Sequence, residues 1–137
     1  MQQTKITTNR PRAAGSGKAD ASVTLSKDEA EVRALIAAWS KALERKDVGG
    51  LTANYSPEVL LFDVKPPYRT RGVAEIRRLW QACLPFFPNR FRSVHRDLEV
   101  KVSGDLAFAH GLHRVEPIGE EHPAGSSWLR VTVCFQR

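Results

Sequence analysis

Apolar positions follow two different periods along this chain, helical in the first half and alternating in the second. Val32, Leu35, Ile36, Trp39 and Leu43 recur at helical spacing and share one face. Ser26-Lys27-Asp28-Glu29 is a capping box, so the first helix is predicted to start there. Gly49-Gly50, after Lys46-Asp47-Val48, is read as its break. A short second helix follows with Leu51 and Tyr55 as apolar contacts, and Ser56-Pro57 stops it. Val59 to Val64 is a compact β-branched and apolar run, read as a strand with Asp63 inside it. Pro66-Pro67 ends that strand, and Tyr68 to Gly72 reads as a loop. A third helix is predicted from Val73 to Leu84, with Val73, Ile76, Leu79, Trp80 and Cys83 on one side. Pro85 and Pro88 then bracket Phe86-Phe87 in a turn.

The remainder reads as strand. Phe91 to Val102 is a long, bent segment; Ser103-Gly104-Asp105 is a tight turn; Leu106 to Glu116 returns. Residues 117–125 hold two prolines and two glycines and form a hairpin loop, and Ser126 to Gln136 is the last strand. Helices first and a meander of strands afterwards specify an α+β domain, with helices on one face of an antiparallel sheet.

Residues 1–25 stand outside this pattern. They are polar, have almost nothing to bury, and read as a disordered leader. Gly15-Ser16-Gly17-Lys18 is similar to a phosphate loop but lacks the earlier glycine, has Ala19 in place of Ser/Thr, and follows no strand. The chain has 137 residues, 42% of them hydrophobic, which suits one domain spanning residues 26–137. The formal net charge is +6, and four Lys/Arg against one Asp in residues 1–25 supply half of it. The folded part is therefore only mildly basic and has no basic stripe interleaved with aromatics, which argues against nucleic acid as a partner. No apolar run reaches the roughly 18 residues of a membrane span, and no apolar h-region marks a secretory signal. A cytoplasmic protein is the expectation. Cys83 and Cys134 sit among apolar neighbours and read as free, buried thiols. His110 and His113 have no third ligand near them in sequence, so neither metal nor cofactor is expected.

Several segments together carry a family likeness: Ala42-Leu43-Glu44-Arg45-Lys46-Asp47, Leu51 through Val59, Leu61-Phe62-Asp63, Arg71-Gly72-Val73 opening a helix with Leu79-Trp80, and Val102 through Gly111. Over about residues 26–137 the sequence resembles SnoaL-like members of the ketosteroid-isomerase/NTF2-like superfamily. The resemblance implies a cone-shaped NTF2-like, or cystatin-like, fold: a curved antiparallel sheet wrapped around three N-terminal helices, with a central pocket and a homodimer formed through the sheet. It places the catalytic aspartate of the steroid isomerases at Asp63, the tyrosine that donates to the substrate oxygen at Trp39, and the second acid at Thr132. The base is kept and its two oxygen donors are not. It also implies one more strand than the chain holds, which leaves an open sheet edge.

A carboxylate among Leu60, Leu61, Phe62 and Val64 has its charged form disfavoured, which suits proton transfer, whereas a structural Asp63 would cap the turn before Pro66. His110 alternates with Phe108 and Leu112 on a face that the resemblance turns toward the pocket; a paired core histidine is the other reading. His113, on the opposite face, is expected at a dimer surface or in solvent. Trp128, Arg130 and Thr132 share one face of the last strand and Leu129, Val131, Val133 and Phe135 the other, and either face can point inward. Trp39, Tyr55, Trp80 and Phe87 complete a lining suited to an apolar small molecule. The function expected is small-molecule binding by a SnoaL-like protein, with isomerase, cyclase or hydratase chemistry open to it through Asp63 as general base and His110 or Trp39 as polar partner. The rival is a non-catalytic ligand-binding or dimerisation domain.

Overall fold

The structure is a computed structural model and describes residues 26–137; the expected leader lies outside the described residues. Helix α1 (Lys27–Glu44) starts at Ser26, whose Oγ accepts from the Glu29 N–H at 3.1 Å. Only that half of the capping box forms, because the Glu29 carboxylate is taken by Arg33 one turn on. The helix does not run on to the glycines. It ends in a Schellman turn in which Lys46 N–H reaches the Leu43 carbonyl and Asp47 N–H the Ala42 carbonyl, each at 2.9 Å. Lys46 takes the left-handed conformation, φ 54°, that such a turn demands. Asp47 then caps α2 (Val48–Thr52) through Gly50 N–H. Gly49 and Gly50 both lie inside α2, and at Gly50 α2 approaches α1 closely: a Cβ there would stand 2.9 Å from that of Ala42.

Strand β1 (Leu60–Phe62) pairs antiparallel with β2 (Arg69–Arg71) in a hairpin of its own. Asp63 follows β1 rather than lying within it, and its N–H extends the pairing to the Tyr68 carbonyl at 3.2 Å. β2 is the segment expected to be a loop; three residues with two arginines carry no apolar alternation to announce a strand. Helix α3 (Val73–Cys83) follows and passes into a 3₁₀ turn, Leu84–Phe86.

The main sheet runs β3 (Phe91–Ser103), β4 (Leu106–Pro117), β5 (Leu129–Gln136), in that spatial order and antiparallel throughout. β3 bends at a bulge between Arg96 and Glu99, where Asp97 has φ 55°. The bulge changes parity: Ser93 and His95 share the inner face before it, Val100 and Val102 after it. Gly111 lies opposite. A Cβ there would meet the Arg96 carbonyl oxygen at 3.0 Å and Leu98 Cα at 3.1 Å, so the kinked backbone needs glycine beside it.

Helix α1 packs on the inner face and divides the core. One cluster holds Ala42, Leu43, Leu51, Leu84, Phe91 and Val115; the other holds Val32, Ile36, Val100 and Ala109. Burying a side chain such as Leu43 contributes roughly 2 kcal/mol. Among the described residues no helix is long and apolar enough to cross a membrane.

Candidate functional site

Three elements cross from one apolar cluster to the other, and each places polar side chains at the crossing. On α1, Ser40 lies between Ile36 and Leu43; on β3, Ser93 and His95 lie between Phe91 and Val100; on β4, His113 lies between Ala109 and Val115. His95 and His113 are register partners. Their rings stand 4.7 Å apart, centroid to centroid. Ser93 Oγ is 2.8 Å from His113 Nε2, and Ser40 Oγ is 3.2 Å from His95 Nδ1. A buried polar group without a partner costs about 1–3 kcal/mol, and these serines supply the partners.

Burial keeps both rings neutral. It lowers His95 below the usual imidazole range and, with the neighbouring His95 as a smaller contribution, lowers His113 to about 4. A neutral imidazole has one donor and one acceptor nitrogen, so each ring retains the capacity to give or take a proton.

Trp39 covers the pair. Its ring meets His113 edge-on at 5.6 Å, His95 at 6.3 Å and Trp80 at 6.0 Å. Trp80 continues to Phe87 at 6.3 Å. Tyr55 sits against both indoles; burial raises its phenol above the usual range, and interaction with the Trp39 and Trp80 N–H groups opposes that rise only in part. Trp80 Nε1 nevertheless completes no hydrogen bond of normal geometry. It is one of two buried side-chain polar atoms left without a partner among the described residues, the other being Arg114 Nε.

Asp63 does not have the apolar enclosure expected of it, because its neighbours Phe62 and Val64 are 49% and 69% exposed. It is half-buried, and its Oδ1 accepts from Val64 N–H at 2.6 Å. Among the described residues it joins no salt bridge. Its charge reaches Cys83, one helical turn beyond Trp80: burial chiefly raises that thiol, Lys65 opposes, and Asp63 adds to the rise. Trp39, Tyr55, Trp80 and Phe87 thus form one aromatic cluster, with the histidine pair beside Trp39.

The remaining expected site residues lie elsewhere. On β4 the inner face is Ala107, Ala109, Gly111, His113 and Val115; Phe108, His110 and Leu112 are on the outer face, across from Lys101, Glu99 and Arg96. His110 therefore does not converge with Asp63: it is exposed, stacks on Phe108 and lies 3.9 Å from Glu99. Arg130 and Thr132 pair with Leu112 and His110 and share that outer face. Trp128 is held there too, with the Arg96 and Arg114 guanidinium groups each 4.5 Å from its ring. The inward residues of β5 are Leu129, Val131, Val133 and Phe135. His113, expected at a surface, is 6% exposed. Cys134, expected to be buried, is exposed on the outer face. The signal for the correct face was available: Ala107, Ala109 and Gly111 alternate, and small side chains are what a sheet needs where a helix lies against it. No three His, Cys, Asp or Glu side chains among the described residues gather closely enough to hold a metal ion.

Comparison with known proteins agrees with this architecture. A search of curated proteins finds no match. Among solved structures, an NTF2-like protein of unknown function from Pseudomonas putida KT2440 superimposes with a TM-score of 0.74 at 28% identity, covering 82% of this chain and 78% of that one. A cystatin-like protein of unknown function from Nostoc punctiforme gives 0.65 at 20% identity, covering 79% and 80%. A candidate dehydratase of the NTF2-like family from Streptomyces avermitilis gives 0.62 at 19% identity, covering 80% and 85%. Residues 32–137 match the SnoaL-like domain, and the chain belongs to that family, with its NTF2-like α+β fold.

Proposed function

We propose that this SnoaL-like domain binds a small, largely apolar molecule carrying a carbonyl or hydroxyl group, and moves a proton on it as an isomerase, cyclase or hydratase does. The observation that carries this reading is the neutral His95–His113 pair beneath Trp39, with the unpartnered Trp80 N–H beside it. Buried donors and acceptors next to aromatic walls orient such a ligand. Asp63 acts as the general base, and a neutral imidazole or the Trp80 indole donates to the oxygen on which charge develops. His110 has no part in this reading, since it lies on the outer face. Proton transfer between side chain and substrate needs no redox group. The dehydratase assignment of the Streptomyces neighbour is compatible with it.

A second reading has its own support. Each histidine already has a serine partner, which suits a structural seam in a non-catalytic, ligand-binding or dimerisation domain. Asp63→Asn separates the two. On the enzymatic reading, a substrate found by screening ketones and hydroxylated aromatics still binds that variant, but turnover falls by about a hundredfold or more. Unchanged turnover removes Asp63 as the base.

A further inference from the structure

Large apolar side chains stand exposed along one face of the β1–β2 hairpin. Leu60 and Phe62 point outward from β1, while Leu61 between them is half-buried. Val64 follows at the next alternate position and is more exposed still. Across the ladder Leu60 pairs with Arg71 and Phe62 with Arg69, and register partners share a face. An apolar row therefore lies directly beside a basic one, and Lys65 adds a third cation where the apolar row ends. Glu58 offsets Arg71 at 3.4 Å, but Lys65 and Arg69 join no salt bridge among the described residues.

The tip of the hairpin has few backbone donors left to satisfy. Pro66 and Pro67 have no N–H, and the Val64 N–H is taken by Asp63 Oδ1 at 2.6 Å. Asp63 N–H in turn donates to the Tyr68 carbonyl at 3.2 Å. Little hydrogen bonding is therefore lost when this tip leaves water. Tyr68, itself largely exposed, brings a ring with a polar end to the same tip. The outer face of the main sheet also exposes Phe108, but there Glu99 and Asp97 answer the charges of Lys101 and Arg96.

We infer that this face of the hairpin docks on an anionic lipid surface. Leu60, Phe62 and Val64 enter the boundary between headgroups and acyl chains. Lys65 and Arg69 lay their stems along the apolar row and carry their charges to the lipid phosphates. Neither half suffices alone: a short apolar row partitions weakly, and exposed cations by themselves are screened by salt. An acidic protein surface would answer the cations, but the donor-poor tip is suited to a lipid interface, where an unpaired backbone N–H is costly.

The test is flotation of the full chain with vesicles of phosphatidylcholine, alone or mixed with phosphatidylserine, at low and high salt. The parent is expected to float with the mixed vesicles, about fivefold less with phosphatidylcholine alone, and less at high salt. Residues 1–25 are themselves basic, so the variants decide. Phe62→Ser keeps every charge and is expected to weaken binding by about fivefold or more. Arg69→Glu weakens it to a similar extent, whereas Lys101→Glu, the same change of charge on the outer face of the main sheet, has a smaller effect. Circular dichroism checks the fold of each variant. Where one fails to fold, Phe62→Trp takes its place, and brominated acyl chains are expected to quench the added indole. A parent that does not float with the mixed vesicles overturns the inference and points to a protein partner instead. So do Phe62→Ser and Arg69→Glu variants that float like the parent, or an added indole that brominated chains leave unquenched.

Discussion

His95 and His113 face each other across the β3–β4 ladder with ring centroids 4.7 Å apart, in the gap between the two apolar clusters. Neither ring can charge without leaving a proton's worth of charge in a poorly solvated layer beside the other.

Stability should therefore fall in mild acid. The folded pKa of His113 lies at about 4 against an ordinary 6.5, and that of His95 is lowered too, so the unfolded chain binds more protons between those values. The contribution is fully present above about pH 6.5 and is lost as the pH drops toward 4. For His113 alone the loss between pH 7 and pH 5 is roughly 2 kcal/mol. Urea unfolding at the two pH values measures it, and His113→Gln should flatten the dependence.

The serine partners carry separate consequences. Ser93→Ala leaves His113 Nε2 without its hydrogen bond in a buried site, and should cost about 1–2 kcal/mol. Ser40→Ala acts on His95, whose ring is less buried, and should cost less. Thermal unfolding of the two variants at neutral pH ranks them.

Gly111 is the tightest point of the bulge. Gly111→Ala pushes a methyl group against the Arg96 carbonyl and Leu98 Cα, both backbone atoms that cannot rotate away. A loss of about 1–3 kcal/mol is expected. Amide hydrogen exchange should rise at Arg96 to Glu99 before it rises elsewhere in β3.

The helices and the order of elements were legible in the sequence because their signals are local: a capping serine, apolar residues at helical spacing, and a glycine turn at Ser103-Gly104-Asp105. The site was legible only in part. Trp39, Tyr55, Trp80 and Phe87 sit on or beside helix faces, so their convergence follows from periodicity. The face of β4 depends instead on which side α1 covers, a non-local fact, and the reading turned Phe108 and His110 inward where Ala109 and His113 belong. A period of two makes such an error complete, because every side chain changes face together. His95 escaped notice for a related reason. The bulge at Asp97 breaks the alternation of β3, so no single pattern marks its inner face. β2 is too short and too charged to announce itself.

The central claim is that a ligand binds against the aromatic cluster of Trp39 and Trp80, which covers the histidine pair. The chain has three tryptophans, and Trp128 lies on the far face of the sheet, which makes it an internal control. The direct measurement is nitrogen–proton correlation NMR of the indole N–H signals during titration with aromatic ketones and phenols. The account predicts that binding compounds shift the Trp80 and Trp39 signals, Trp80 most strongly as its N–H gains an acceptor, while Trp128 stays in place. Compounds that move only Trp128, or a panel in which nothing moves Trp80, would contradict it.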